Sequence, residues 1–256
     1  MLRPMILSRI IGHLRELNWT AAGLEILIVV VGVFLGIQFS NWNEERQDAA
    51  RADEYLARIL EDVTADVETF DQRIELWTEV VDRGNAALAF ARSGVAADQT
   101  HWEVLSDFYL ASQWLPFNSA NTTFKEMTSA GELGLIANTR LRAELSDYYY
   151  RIEFREPLYE GSPDYRKTVR ALTPLPIQNY FWSDCEQGTA DHILAECDPS
   201  IPVTQAQTVV DHFLATPDVV GDLRYWVINL GVTISAARRD RDKAANLAQR
   251  IEEELR

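Results

Sequence analysis

Turn-forming residues are scarce in this chain, with only 12 glycines and 9 prolines among 256 residues. A protein of many short strands needs more turns than that, and the alternating pattern of half-buried strands is missing as well. Long helices with few interruptions fit the composition. Basic residues are also in deficit, 24 Lys and Arg against 39 Asp and Glu, for a formal net charge of −15. The imbalance is uneven: residues 1–43 carry +1, and the remainder carries −16. Such a surface repels nucleic acid and anionic headgroups, so no nucleic-acid partner is expected. A solubilising acidic coat explains the charge.

Catalytic patterns are lacking too. No HExxH, GxSxG, P-loop, GxGxxG or EF-hand spacing occurs. The four histidines are His13, His101, His192 and His212. Asp191-His192 and Asp211-His212 look like catalytic pairs, but neighbours in sequence do not face each other on a helix. The expectation is a non-enzyme with no catalytic residues, no metal ligands and no cofactor. Carboxylates such as Glu61, Asp62, Asp66 and Glu68 read as the solvated face of a helix. The aromatic residues Trp102, Phe108, Tyr109, Trp114, Phe117, Tyr148, Tyr149 and Tyr150 read as bundle core, with a ligand cleft as the alternative. The run 148–150 cannot be wholly buried on one helix, so at least one of its rings is exposed or at an interface.

Cysteine is limited to Cys185 and Cys197, within the proline-rich segment 173–203. A zinc site would need a second pair of ligands, which is missing. A Cys185–Cys197 disulfide would close a short loop, stabilising by about 3 kcal/mol in the chain-entropy model. It would suit an extracytoplasmic location. Free buried thiols are the alternative.

One long apolar run is present, from Thr20 to Phe39. Twenty helical residues rise about 30 Å, the thickness of a bilayer's hydrocarbon core. Trp19 and Trp42 flank it, as interfacial rings do. The residues after the run make a poor signal-peptidase site, so an uncleaved anchor is expected. Arg3, Arg9 and Arg15 precede it and Arg46, Arg51 and Arg58 follow it, which leaves the Lys/Arg count tied. The short basic N-terminus and the distal cysteines favour a cytoplasmic N-terminus and a periplasmic domain in a bacterial inner membrane. Within the span, Gly32 and Gly36 share one face and would allow close helix approach. Glu25 and Gln38 are polar residues that a passive tether does not need. These four residues are the candidate interaction surface, toward other membrane-protein subunits or a second copy of the chain.

Beyond the span, apolar residues recur at Leu56, Leu60, Val63, Val67, Phe70, Ile74, Trp77, Val81 and Leu88, with Gly84 at the one small position. A second stripe runs through Leu223, Val227, Leu230, Ile234, Ala237, Ala244, Ala248, Ile251 and Leu255, interrupted by Arg241. Both keep the 3.5-residue period of packed helices. Shorter helices are predicted between them, one capped by Asp98 or Thr100 and stopped by Pro116, one ended by Gly131, and one from about Thr139 broken at Pro157. The predicted fold is all-α. A single N-terminal transmembrane helix continues into a long helix of an antiparallel bundle, and the long C-terminal helix returns toward the membrane. The predicted divisions are 1–19 cytoplasmic, 20–40 transmembrane and 41–256 extracytoplasmic, the last with its Cys-bearing loop 173–203.

The stretch Leu24–Val33, then Gln38 and Asn41-Trp42-Asn43-Glu44-Glu45-Arg46, resembles a bacterial family of membrane proteins of unknown function. Phe124-Lys125-Glu126-Met127, Ser129–Ile136, Leu141-Arg142 and Tyr148-Tyr149 resemble the same family's central segment. The likeness covers roughly residues 20–150. It implies one N-terminal span and a helical extracytoplasmic domain, and no activity. Three function classes remain in order of expectation. First is an accessory or scaffold subunit of a membrane complex, then a periplasmic sensor or ligand-binding module, then an uncharacterised enzyme.

Overall fold

The computed structural model describes residues 19–94, 99–161, 163–183, 198–199 and 201–256. Among these residues there are eight α-helices, one short 3-10 helix and no strand, so the fold is all-α. The helices are α1 Trp19–Ser93, α2 His101–Leu110, α3 Thr122–Ser129, α4 Thr139–Glu160, α5 Asp164–Leu172, α6 Leu175–Ser183, α7 Val203–Ala215 and α8 Val219–Glu254. The chain divides into two compact units, Met1–Asp53 and Glu54–Arg256.

In the first unit, the apolar part of α1 is exposed among the described residues. Every large apolar side chain from Leu24 to Phe39 is 46–69% exposed. By length and composition this helix can cross a membrane.

In the second unit, the remainder of α1 packs with α4 and α8. Its buried positions are Leu56, Ile59, Val63, Asp66, Phe70, Leu76, Trp77, Val80, Gly84 and Ala87. Apart from the interval between Phe70 and Trp77, steps of three and four make a coiled-coil-like seam. Four predicted positions are displaced by one residue, and at the fifth Ile74 is half-buried with Leu76 buried beyond it. Leu60, Val67, Ile74, Val81 and Leu88 flank the seam, half-buried, while Ile59, Asp66, Val80 and Ala87 occupy it. At two of these steps, Asp66 beside Val67 and Ala87 beside Leu88, the less apolar neighbour is the buried one.

The strand of contacts between α1 and α8 runs in opposite directions along the two helices. Arg241 donates from Nε and Nη2 to Asp71 at 2.9 and 3.0 Å. Further along α1, Gly84 lies against Val227 and Leu223, so the pair is antiparallel. An ideal Cβ on Gly84 would stand 2.4 Å from Val227 Cγ2, which explains the small residue there. Helix α4 is likewise antiparallel to α8, with Arg250 donating to Glu144, Lys243 to Asp147 at 3.3 Å and Arg155 to Asp240.

Local chemistry sets the helix ends. Thr100 Oγ1 accepts from the Glu103 N–H at 3.3 Å and Glu103 accepts from the Thr100 N–H at 2.6 Å, a reciprocal cap. Asn138 Oδ1 accepts from the N–H groups of Arg140 and Leu141 at the start of α4. Gly94, at φ +76°, ends α1 in a backbone conformation that other residues rarely adopt. Pro157 does not break α4, which runs on to Glu160. The proline costs the preceding turn one hydrogen bond, to the carbonyl of Glu153, while Arg155 and Tyr159 hold that turn to Asp240. Part of the predicted loop 173–203 is also helical, since Pro174 and Pro176 sit at the start of α6, where a missing N–H is tolerated.

Aromatic rings fill the centre. Trp77 stacks on Trp114 at 5.0 Å and lies 6.2 Å from Tyr159, and Trp226 meets Trp114 edge-on at 5.3 Å. Each such pair contributes about 0.5–1.5 kcal/mol beyond burial. The indole N–H groups of Trp77 and Trp226 donate to the carbonyls of Leu115 and Ala111. They tie the extended segment 111–121 to both long helices.

Candidate functional site

Two buried aspartates organise the bundle. Asp66 on α1 is 1% exposed and accepts from Ser119 Oγ at 2.6 Å, the Ala120 N–H at 2.8 Å and Tyr148 Oη at 2.6 Å. Burial raises its pKa above the ordinary aspartate value, and the three donors offset only part of that. Asp240 on α8 is fully buried, accepting from Arg155 and from Tyr159 Oη at 2.7 Å. Asp66 therefore belongs to the interior and not to the solvated face of α1. Asp240, where the C-terminal stripe had Arg241 as its interruption, is the residue that faces the core.

These anchors shape a cleft of about 420 Å³ between α3, the segment 117–121 and α4. Its walls are the rings of Phe117, Phe124, Tyr149, Tyr150 and Tyr159. Phe117 is stacked on Phe70 at 3.7 Å, Phe124 on Tyr149 at 4.3 Å, and Tyr159 is pinned by Asp240. Ser119, on the same wall, is held by Asp66. Rings fixed this way are ready to receive a ligand without reordering, which lowers the cost of binding. The volume falls within the roughly 300–1,000 Å³ of small-molecule sites.

Charge around the cleft is unbalanced. Glu153, Glu156 and Glu160 line it from one face of α4, spaced three and four residues apart, opposite Lys125 of α3. All four are exposed, and none forms an ion pair among the described residues. Pro157 supplies no N–H to the Glu153 carbonyl, which adds a further acceptor on this stretch of α4. Negative potential and aromatic faces both favour a cation. A larger polar groove, about 540 Å³ between the start of α4 and the end of α8, differs in this respect. Its Glu144 already pairs with Arg140 and Arg250, so it makes no comparable demand for an external charge.

The span residues belong to the first unit. Glu25 and Gln38 are exposed on α1, and the space beside Gly32 and Gly36 is open. Cys185, Cys197, His13 and His192 lie outside the described residues. His101 meets the Phe90 ring edge-on at 6.5 Å, and His212 is exposed. Among the described residues, no group of three or more His, Cys, Asp or Glu could hold a metal ion.

Of the aromatics picked out in the sequence, Trp102, Phe108, Tyr109, Trp114 and Tyr148 are core. Phe117, Tyr149 and Tyr150 line the cleft, and Tyr150 is the exposed member of its run at 69%. The rim glutamates and Asp240 have no signal in the sequence. Steps of three and four between Val63 and Phe70 pass equally through Asp66 and Val67, so spacing does not identify Asp66 as buried. Comparison with protein-family models, with curated proteins and with solved structures gave no match.

Proposed function

We propose that the chain is a membrane-tethered, non-enzymatic binding module whose cleft takes a small organic cation with an apolar body. The observation that carries this is the ring-walled cleft, rimmed by Glu153, Glu156 and Glu160 against the single Lys125. A cation over an aromatic face gains about 0.5–2 kcal/mol, more as water is excluded. Unpaired carboxylates on the rim add long-range attraction over about 8 Å at physiological salt. The test is calorimetry on the full chain in mild detergent, with choline and its uncharged carbon isostere as probes. Choline is expected to bind saturably and the isostere not. Joint Glu153→Gln, Glu156→Gln and Glu160→Gln replacement is expected to weaken choline by about tenfold. Equal binding of the two probes, or no effect of the glutamine variant, would sink the reading.

The proposal puts the apolar part of α1 in a bacterial inner membrane, with the N-terminus cytoplasmic and residues 41–256 periplasmic. The Lys/Arg count is tied, and the short basic N-terminus ahead of the apolar run together with the distal Cys185 and Cys197 favours this orientation. Protection of the helical domain from protease in intact spheroplasts would reverse it. The resemblance to a bacterial family of single-span proteins agrees with the same placement.

A second reading, an accessory or scaffold subunit, rests on the exposed apolar helix. Open space at Gly32 and Gly36 leaves room for another helix backbone. Glu25 and Gln38 would then meet polar groups of that neighbour. Gly32→Ile with Gly36→Ile is expected to abolish span-dependent crosslinking in native membranes. Unchanged crosslinking would count against this reading and leave the cleft untouched.

A further inference from the structure

We propose that Arg166 and Arg170 form a receptor for an oxyanion, a carboxylate or phosphate group brought by a ligand. The two residues are one turn apart on α5, and both are half-buried. Their guanidinium groups converge on one neutral atom. Arg166 Nη1 donates to Gln113 Oε1 at 3.3 Å, and Arg170 Nη2 donates to the same oxygen at 2.9 Å. Arg166 Nη1 also reaches the Ser112 carbonyl at 2.7 Å, and Arg170 Nε reaches Ser112 Oγ at 3.3 Å. No carboxylate pairs with either arginine among the described residues. Each guanidinium therefore keeps N–H donors that no acceptor among the described residues takes.

In a chain of net charge −15, acidic partners are abundant, and most other interior or half-buried arginines have one. Arg83 has Asp107 at 3.3 Å and Arg155 has Asp240. Two like charges facing a buried amide oxygen repel one another, and a glutamate at 113 would relieve this with almost no change of shape. The neutral glutamine leaves the pair available to an anion from outside. Burial and the neighbouring Arg170 lower the pKa of Arg166 to about 10, which agrees with the lack of a compensating charge.

The surroundings add two features that suit a ligand. Tyr109 is fully buried, and its O–H lies beside the Trp182 indole without a well-formed hydrogen bond. Arg170 lies over that ring at 5.1 Å and over Trp182 at 5.3 Å, stacked between them. Trp182 remains 42% exposed and gives the site an apolar edge. Stacking holds the Arg170 plane fixed, and a fixed fork matches the two oxygens of a carboxylate or phosphate. This site shares no residue with the cation cleft, so either can fail alone.

The experiment uses the full chain in nonionic detergent, with inorganic phosphate or acetate replacing chloride at constant ionic strength. Calorimetry and the thermal midpoint are both read. At least one of the two anions is expected to bind saturably and raise the midpoint. Gln113→Glu is expected to raise the midpoint without added anion and to abolish the response. Arg166→Gln with Arg170→Gln is expected to weaken binding by about tenfold or more. Should that variant fail to fold, Gln113→Glu decides alone. No saturable response to either anion, or a response that survives Gln113→Glu, overturns the proposal.

Discussion

Replacing Asp66 by alanine removes the one acceptor shared by three donors. Tyr148 is 3% exposed, so its O–H has no solvent to turn to. The Ala120 N–H is fixed by the backbone and loses its partner as well. Ser119 is only half-buried and can rotate toward water. Each buried donor left unpaired costs about 1–3 kcal/mol. Removing a desolvated charge offsets some of this, because burial already holds Asp66 at a raised pKa. The net loss is expected to be about 2–4 kcal/mol, or about 5–12 °C in thermal midpoint for a domain of this size. Urea unfolding of the full chain in mild detergent, followed by near-ultraviolet circular dichroism, measures it. Glu68→Ala, on the exposed face of the same helix, serves as the control and is expected to stay within about 0.5 kcal/mol. If α1 instead turned the stripe through Leu60 and Val67 inward, Asp66→Ala would match that control and Val67→Ala would be the damaging change. That outcome would refute the seam described above and the anchoring of the cleft with it.

Three further perturbations test other parts of the frame. Asp240→Ala strands the half-buried Arg155 and the Tyr159 hydroxyl, with an expected loss of about 3–5 kcal/mol by urea unfolding. Adding Arg155→Met should recover part of it, and strict additivity of the two changes would contradict a direct pair. Gly84→Ala drives a methyl group into Val227, costing about 1–3 kcal/mol despite the better helix propensity. The combination with Val227→Ala should restore most of the loss in thermal midpoint, and an unrescued double variant would argue against that contact. For pH, a carboxylate raised by burial binds its proton more tightly in the folded state. Its contribution is fully present below the unfolded value of 3.8 and is lost as pH rises through the raised folded value. The deficit of Asp66→Asn relative to the parent should therefore be larger near about pH 4 than near about pH 8, read from urea midpoints. A deficit that widens with rising pH would mean that the donors outweigh desolvation.

Much of the architecture was legible because helix period and helix length are local properties. Leu56, Val63, Phe70, Trp77 and Gly84 lie on the seam as read, and so do Leu223, Leu230, Ala237, Ala244 and Ile251. Thr100 as a cap and Gly131 as a stop follow from side-chain and backbone chemistry within a few residues. Pro157 misled because a proline strains only the turn before it, and here Arg155 and Tyr159 hold that turn to Asp240.

Sequence alone was enough to identify an all-α chain, one apolar run long enough to cross a bilayer, and two long amphipathic arms. These depend on composition and on periodicity along one helix. Only the tertiary structure decided which of two adjacent residues faces inward, because that choice depends on what the partner offers. Asp66 is inside since Ser119, Ala120 and Tyr148, 53 to 82 residues away in sequence, bring three donors to it. Asp240 is inside for the same reason, through Arg155 and Tyr159. The cleft and the paired arginines are also products of packing. Each is defined by charges that have no partner among the described residues, and only packing sets which neighbours a charge meets.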